Sequence, residues 1–231
     1  MREIVLDTET TGMDPATGDK LVEIGCVELE NHIPTGRTYH QYINPERDVP
    51  AEAVAVHGLT ADKLKNEPTF GEILGDFLDF IGDDSKLVIH NAEFDMKFIN
   101  AELKTFGFPS VDNKRVIDTL MIARKKFPGS PANLDALCRR FNIDNSNRTL
   151  HGALLDSELL AEVYLELLGG RQQNLGGLGM DAEKRQSSAA GAKQIKIERP
   201  FREPRNFSVP EEEIAAHEEM LGDIKDPVWK F

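Results

Sequence analysis

The chain has 231 residues, of which 40% are hydrophobic, and a net charge of −13 at pH 7. That length is enough for one domain with a sizeable core and a tail. No apolar run approaches the ~18 residues of a membrane span and no secretory leader is recognisable, so we expect a cytoplasmic protein with no membrane partner. The acidic balance excludes a protein that grips long duplex DNA through a basic face.

The charge of the first 170 residues leads to the same expectation. They contain 17 Lys and Arg and 29 Asp and Glu, a net charge of −12. Basic residues cluster only at 124–126 and 139–140, where solvated helix faces explain them at least as well as phosphate contacts do. We therefore expect at most weak intrinsic affinity for nucleic acid. The two cysteines, Cys26 and Cys138, lie in apolar patterns and are predicted to be small buried hydrophobes.

Hydrophobic periodicity predicts an α/β domain with a mixed sheet. Strand patterns come first and strands then alternate with helices, which is typical of that class. The predicted strands are residues 3–6, 21–30, 39–43, 87–89 and 115–117. The predicted helices are residues 60–65, 70–81, 119–126, 134–141 and 153–168, together with one that contains Phe94.

The first strand carries an acidic pair, Asp7 and Glu9, after the apolar run of residues 4–6. Side chains at i and i+2 of a strand point to the same face. Two carboxylates on one face are suitable ligands for Mg²⁺, which binds oxygen atoms and substrate phosphates. A single acidic pair of this kind is more often a solvated strand end, so the interpretation depends on further acidic sites.

A second acidic site follows the predicted strand 87–89. Phe94, Phe98, Ile99 and Leu103 recur at helical spacing, which places Asp95 in the first turn of a helix. The unpaired N–H groups of a helix start favour a carboxylate there, and this alone would explain Asp95. Asp118 ends another short apolar run, and we assign it a supporting, hydrogen-bonding role.

A third acidic site is Asp156, near the start of the helix 153–168. His151 precedes it in a loop beside Gly152. A spacing of five residues does not share a helix face, but a loop histidine can reach over a site that Asp156 helps to build. The ordinary pKa of histidine lies closest to neutrality, which suits proton transfer. The alternative is a surface histidine.

These sites occur within four motifs. They are Asp-Thr-Glu-Thr-Thr-Gly at 7–12, Val-Ala-Val-His-Gly-Leu-Thr at 54–60, His-Asn-Ala-Glu-Phe-Asp at 90–95 and His-Gly-Ala-Leu-Leu-Asp at 151–156. In this order they resemble the DEDD exonucleases of the histidine branch, in which a histidine stands five residues before the last aspartate. Within that branch the chain most resembles the epsilon proofreading subunits of bacterial DNA polymerase III. The resemblance is strong over residues 1–168 and looser at the end of the chain.

The resemblance implies an RNase H-like fold with a five-stranded mixed sheet and flanking helices. It also implies 3′→5′ removal of mismatched nucleotides for a replicative DNA polymerase. Two divalent metal ions, Mg²⁺ or Mn²⁺, would be held by Asp7, Glu9, Asp95 and Asp156, with His151 as the general base. Two alternatives stay open: a free-standing 3′ exoribonuclease or DNA-repair exonuclease, and an adaptor that mainly stabilises a polymerase–clamp assembly.

The resemblance also suggests where the single-stranded 3′ end of DNA binds. The alternative to a substrate contact is, for His57, a loop histidine packed beside an apolar stretch. For Phe94 the alternative is a hydrophobic staple at the helix start. Stacking on an aromatic ring tolerates any base, as a proofreading enzyme requires. The expected substrate contacts are Thr8, Glu9, Val56, His57, Leu59 and Phe94.

Composition changes after Leu168. We expect an exonuclease domain at 1–168, a flexible linker rich in Gly, Gln and Ser at 169–207, and a polymerase-binding segment at 208–231. Pro210 followed by acidic residues predicts a helix start, with the helix running through Ile214, Met220 and Leu221.

The resemblance implies three protein partners, two of which would bind the region after the domain. Trp229 and Phe231 are aromatic, as binding hot spots often are, and by resemblance they would dock on the alpha (polymerase) subunit. A disordered tail without function is the alternative. Residues Gln173–Leu178 occupy the place of a sliding-clamp motif but have two glycines and no aromatic residue, so we expect weak clamp binding at best. A theta-like small subunit is a further candidate partner.

Overall fold

A computed structural model describes residues 1–146, 148, 150–170 and 210–222. The chain divides into two units, Met1–Leu175 and Gly176–Phe231. The first unit contains a five-stranded sheet with helices on both faces. The strands are β1 (Arg2–Thr10), β2 (Leu21–Glu30), β3 (Ile33–Tyr42), β4 (Lys86–Ile89) and β5 (Val116–Asp118).

The sheet is mixed, as the sequence predicted. Its strand order is β3-β2-β1-β4-β5. The hairpin partners β1–β2 and β2–β3 are antiparallel, whereas β1–β4 and β4–β5 are parallel. The helices of this unit are α1 (Ala51–His57), α2 (Ala61–Leu64), α3 (Phe70–Ile81), α4 (Ala92–Thr105), α5 (Thr119–Lys126), α6 (Leu134–Phe141) and α7 (Ala153–Leu168).

Strand β1 is buried on both faces, which explains why its apolar run is continuous. Ile4 and Leu6 belong to a core formed with α3 and α4, where Phe77 and Phe98 are fully buried. Val5 points to the other side, into a core formed with α7. Since side chains alternate along a strand, β1 contributes to the apolar cores on both faces of the sheet. This packing fixes the position of its polar end, which carries Asp7 and Glu9.

Apart from shifts of one or two residues at the ends of elements, three elements differ from the sequence-based prediction. Strand β1 continues to Thr10 because its pairing with β2 extends, past a register shift after Glu9, to Thr10 opposite Leu21. Strand β3 begins earlier than predicted, at Ile33. The sequence did not show this because β3 is an edge strand, and its mostly exposed residues have no hydrophobic alternation. Helix α1 was not predicted, because it is short and largely exposed and has no apolar stripe.

The two cysteines are buried and unpaired, as predicted. In the second unit the predicted helix is present as α8 (Glu211–Gly222), which covers Ile214, Met220 and Leu221. Among the described residues, no helix has the length and apolarity to cross a bilayer. Trp229, Phe231 and the segment Gln173–Leu178 lie outside the described residues, so their roles stay predictions, as do the boundaries after 168 and 207.

Candidate active site

A cleft of about 900 Å³ lies where the carboxyl ends of β1 and β4 meet the start of α7. It is strongly acidic. Among the described residues its lining includes a single guanidinium, that of Arg148. The carboxylates of its lining are Asp7, Glu9, Asp19, Glu52, Asp95, Asp135 and Asp156.

The turn from β4 into α4 brings Asp95 to Asp7 and Glu9. Asn91 adopts the left-handed conformation, with φ 66°, which asparagine tolerates better than most residues. Its N–H donates to the Asp118 carboxylate at 3.2 Å, which confirms the predicted hydrogen-bonding role of Asp118. Asp95 is buried, and the Thr8 hydroxyl donates to its Oδ1 at 2.7 Å. The strand therefore fixes the orientation of the Asp95 carboxylate.

Asp156 enters the cleft from the first turn of α7. The neighbouring Ser157 hydroxyl donates to the Gly25 carbonyl at 2.9 Å, which attaches α7 to β2. His151 precedes the helix, and its Nδ1 lies 3.5 Å from Asp156 Oδ2. Glu9, His151 and Asp156 each offer one ligand atom, and these atoms lie within 4.8 Å of one another. The loop histidine thus reaches the site despite its five-residue separation from Asp156.

The unpredicted helix α1 supports the histidine loop. The backbone N–H of His151 donates to the Val56 carbonyl at 3.1 Å. Gly58 ends α1 with φ +72°, and a Cβ there would lie 2.7 Å from Leu150. The motif at 54–60 therefore does two things, since it lines the cleft and also holds the loop that carries His151.

Arg148 is the site residue that the sequence did not reveal. Its Nε and Nη2 donate to both oxygens of Asp156, at 2.5 and 2.7 Å, and Nη1 donates to Asp135 at 2.9 Å. Its side chain is 8% exposed. The residue lies outside the four motifs and outside the basic clusters. The only hint in the sequence was a single arginine just before the motif at 151–156.

Mutual repulsion and burial raise the pKa values of the facing carboxyl groups. Burial, followed by repulsion from Asp95 and Glu9, raises the pKa of Asp7 well above its ordinary value. Burial and the nearby Glu23 raise the pKa of Glu9 to about 8. Burial raises the pKa of Asp95 to about 7, although the hydrogen bond from Thr8 opposes that change. Oxygen donors with excess negative charge fit divalent cations, so the side chains of this cleft are compatible with a metal site.

The predicted substrate contacts divide into two groups. Thr8, Val56, His57 and Phe94 line the cleft together with Glu9. Leu59 does not, because it is buried in a small apolar cluster with Val22 and Leu64. This burial gives Leu59 a packing role, and its expected contact with substrate stays a prediction. Thr8 already uses its hydroxyl to hold Asp95.

The ring of His57 is buried in the cleft wall. Its Nδ1 accepts the N–H of Leu59 at 3.0 Å, so in the neutral ring the proton sits on Nε2. Nε2 is itself buried. Burial lowers the pKa of His57, which favours the neutral ring, while a hydrogen bond with the Thr10 backbone opposes that change. Backbone groups of Leu59 and Thr10 therefore hold the ring in place.

The fold and this cleft define a class of protein, the exonucleases built on an RNase H-like sheet. The nuclease domain of 3′hExo, a DEDDh family member solved with rAMP, matches with a TM-score of 0.63 and 22% identity, over 72% of this chain and 91% of that one. Exonuclease X, solved with 5′ overhanging duplex DNA, matches with a TM-score of 0.57 and 23% identity, over 71% and 90%. At these identities the likeness shows the fold, and the predicted fold is confirmed.

Sequence similarity defines the family more narrowly. The family described as Exonuclease matches residues 4–164. The DNA polymerase III subunit epsilon of Rickettsia conorii is 58% identical over 175 residues, 74% of this chain and 76% of that protein. That of Escherichia coli is 45% identical over 227 residues, 95% and 92%. The chain belongs to the exonuclease family, among the epsilon subunits of DNA polymerase III, and this family depends on divalent metal ions.

Proposed function

We propose that this protein removes mismatched nucleotides from the 3′ end of primer DNA as the proofreading subunit of a bacterial replicative polymerase. The observation that carries the proposal is the convergence of Asp7, Glu9, Asp95 and Asp156 with His151 in one cleft. These residues come from β1, α4, α7 and the loop before α7, so the fold must be complete before the site exists.

The four carboxylates are the proposed ligands of two divalent cations, Mg²⁺ or Mn²⁺. When bound, such ions supply positive charge for the phosphate and activate the attacking water. Burial, together with repulsion from neighbouring carboxylates, raises the pKa values of Asp7, Glu9 and Asp95. Cations bound there would offset that repulsion and let phosphate approach.

His151 is the proposed general base. Its side chain is half exposed and lies beside Asp156, so it can reach a water molecule at the carboxylate cluster. It accepts the proton of that water as the water oxygen attacks phosphorus and the bond to the leaving 3′ oxygen breaks. Only the neutral ring can accept the proton.

The 3′-terminal nucleotide is proposed to lie along the wall formed by α1 and the start of α4. The ring of His57 forms part of this wall. The exposed side chain of Val56 and the ring of Phe94 offer apolar contact to the terminal base. Phe94 is itself supported by Phe98, with ring centroids 5.1 Å apart. Apolar contacts of this kind do not distinguish bases, which suits the removal of any mismatch.

An acidic surface implies weak intrinsic affinity for DNA, so delivery by a partner belongs to the proposal. The relatives are named as subunits of DNA polymerase III. We propose that the alpha subunit binds the segment 208–231 through Trp229 and Phe231. Weak clamp binding by Gln173–Leu178 and association with a theta-like small subunit extend the same proposal.

The proposal is tested by incubating the purified chain with matched primers of DNA and RNA. Each primer is offered with a paired and with a mismatched 3′ end, with Mg²⁺ or with EDTA. We expect Mg²⁺-dependent release of mononucleotides from the 3′ end, fastest from mismatched DNA, and none from the Asp156→Asn variant. A preference for RNA would favour the exoribonuclease alternative. An inactive wild-type protein that still binds the polymerase would favour the adaptor alternative.

A further inference from the structure

We propose that Arg148 competes with divalent ions for Asp156, and that it must release Asp156 and His151 before His151 acts as the base. The inference rests on the proposed function and adds a positioning residue to it. Arg148 contacts both Asp156, a proposed metal ligand, and His151, the proposed general base.

The first argument concerns Asp156. Both of its oxygens accept N–H groups of Arg148, in the two-pronged geometry that makes such pairs strong. The Arg148 and Asp156 side chains are 8% and 4% exposed, so water does little to screen their pairing. A buried carboxylate without a partner would be costly. The guanidinium therefore supplies at Asp156 the positive charge that a metal ion would supply.

The second argument concerns the ring of His151. A guanidinium has only donors, so its Nη2, 2.9 Å from His151 Nδ1, must donate to that nitrogen. A neutral ring whose Nδ1 accepts a hydrogen bond carries its proton on Nε2. Neither nitrogen then has a free lone pair for the proton of water. As long as Arg148 holds Nδ1, His151 cannot serve as the base.

The third argument concerns where Arg148 remains after release. Its Nη1 also donates to Asp135 at 2.9 Å, and Asp135 is held in turn by the side-chain amide of Asn145. Asp135 is half exposed on the cleft wall and comes from α6. Arg148 therefore keeps a second anchor when it leaves Asp156. Its charge stays in the cleft, and one movement frees the ligand and the base together.

The test is a calorimetric titration of the full chain with Mn²⁺ alone, comparing the wild type with Arg148→Gln. If Arg148 competes with metal, the variant binds Mn²⁺ roughly tenfold more tightly. A residue that merely supports a ligand would have the opposite effect, because removing such a partner typically weakens metal binding by about 10–100-fold. Weaker or unchanged binding in the variant would overturn the inference. The exposed Arg139→Gln serves as the matched control and should bind Mn²⁺ as the wild type does.

A second measurement does not require a variant to fold. The ¹⁵N resonances of the histidine rings are followed while Mg²⁺ is added to the wild type. We expect His151 Nδ1 to show an accepted hydrogen bond without metal and to lose it at saturation. A Nδ1 resonance that Mg²⁺ leaves unchanged would refute release. The proposed function fails separately, since it fails if the wild type binds neither Mn²⁺ nor Mg²⁺.

Discussion

Gly25 of β2 lies directly against Ala153, the first residue of α7. A Cβ at position 25 would fall 2.2 Å from the Ala153 carbonyl carbon, a distance that no side chain can accept. Gly25 also pairs with Asp7 in the β1–β2 register. The same glycine thus lets the start of α7 approach the strand that carries two of the carboxylates, so Asp156 reaches them.

Replacing Gly25 with alanine should therefore disturb both stability and the site. We expect Gly25→Ala to lower the free energy of unfolding by about 1–3 kcal/mol, as overpacking does, and to reduce exonuclease activity strongly. Urea denaturation and a nuclease assay on single-stranded DNA measure the two effects. Gly75→Ala in α3 is the control, since a Cβ there meets no atom within 4 Å, and it should be neutral or stabilising by up to ~1 kcal/mol. Full activity of the Gly25 variant would contradict the proposed placement of Asp156.

Removing one carboxylate of the cluster should abolish catalysis without unfolding the domain. Asp7→Ala eliminates a proposed ligand and also relieves repulsion, because Asp95 and Glu9 both raise the pKa of Asp7. We expect no measurable nuclease activity and an unfolding temperature, measured in EDTA, at or above that of the wild type. Asp79→Ala, on the exposed side of α3, should change neither property. If a chelated wild-type enzyme still degraded DNA, the two-metal mechanism would be wrong.

Loss of the His151 ring should affect the chemical step more than metal binding. We expect His151→Ala to lower kcat by roughly 10²–10⁴, the usual contribution of a general base, with Mn²⁺ affinity largely kept. Single-turnover nuclease kinetics and calorimetry separate the two quantities. Because a ring nitrogen of His151 lies within 4.8 Å of donor atoms of Glu9 and Asp156, ligation is a real alternative. An unchanged kcat with weaker Mn²⁺ binding would assign His151 to that alternative.

Stability of the metal-free protein should fall as pH rises. Burial holds the pKa of Asp95 at about 7 and that of Glu9 at about 8, above their values near 4 in the unfolded chain. Between about pH 4 and 8 the folded state binds more protons than the unfolded state, so unfolding is increasingly favoured as those protons leave. We expect the unfolding temperature in EDTA to drop between pH 5 and 9, and Mg²⁺ to reduce the drop. Glu9→Gln should make the unfolding temperature less dependent on pH. If the unfolding temperature of the variant fell as steeply with pH as that of the wild type, Glu9 would be excluded as the source of the pH dependence.

Most of the fold and the carboxylate set could be predicted because they follow periodic or local patterns. The i, i+2 spacing of Asp7 and Glu9 and the helix start before Asp95 are visible in the sequence. The Arg148–Asp156 pair is not, since it joins a loop to a helix through side-chain directions that spacing does not encode. Helix α1 was missed because it is mostly exposed. The burial of Leu59 was not predicted either, because a motif gives no information about which side of the chain faces the core.

The last prediction concerns the chain after α7. All the proposed active-site residues precede Leu168, where α7 ends, and among the described residues the apolar clusters of the first unit end at Leu167. A chain cut after Leu168 should therefore keep its activity on short single strands and lose the polymerase. Trp229→Ala in the full chain should weaken polymerase binding by about 2 kcal/mol or more, as a hot-spot aromatic does, whereas Ile214→Ala in α8 tests whether the helix also contributes. Calorimetric titration with the alpha subunit measures both. Full-strength binding by the truncated chain would place the interface on the exonuclease domain and make Trp229 and Phe231 dispensable.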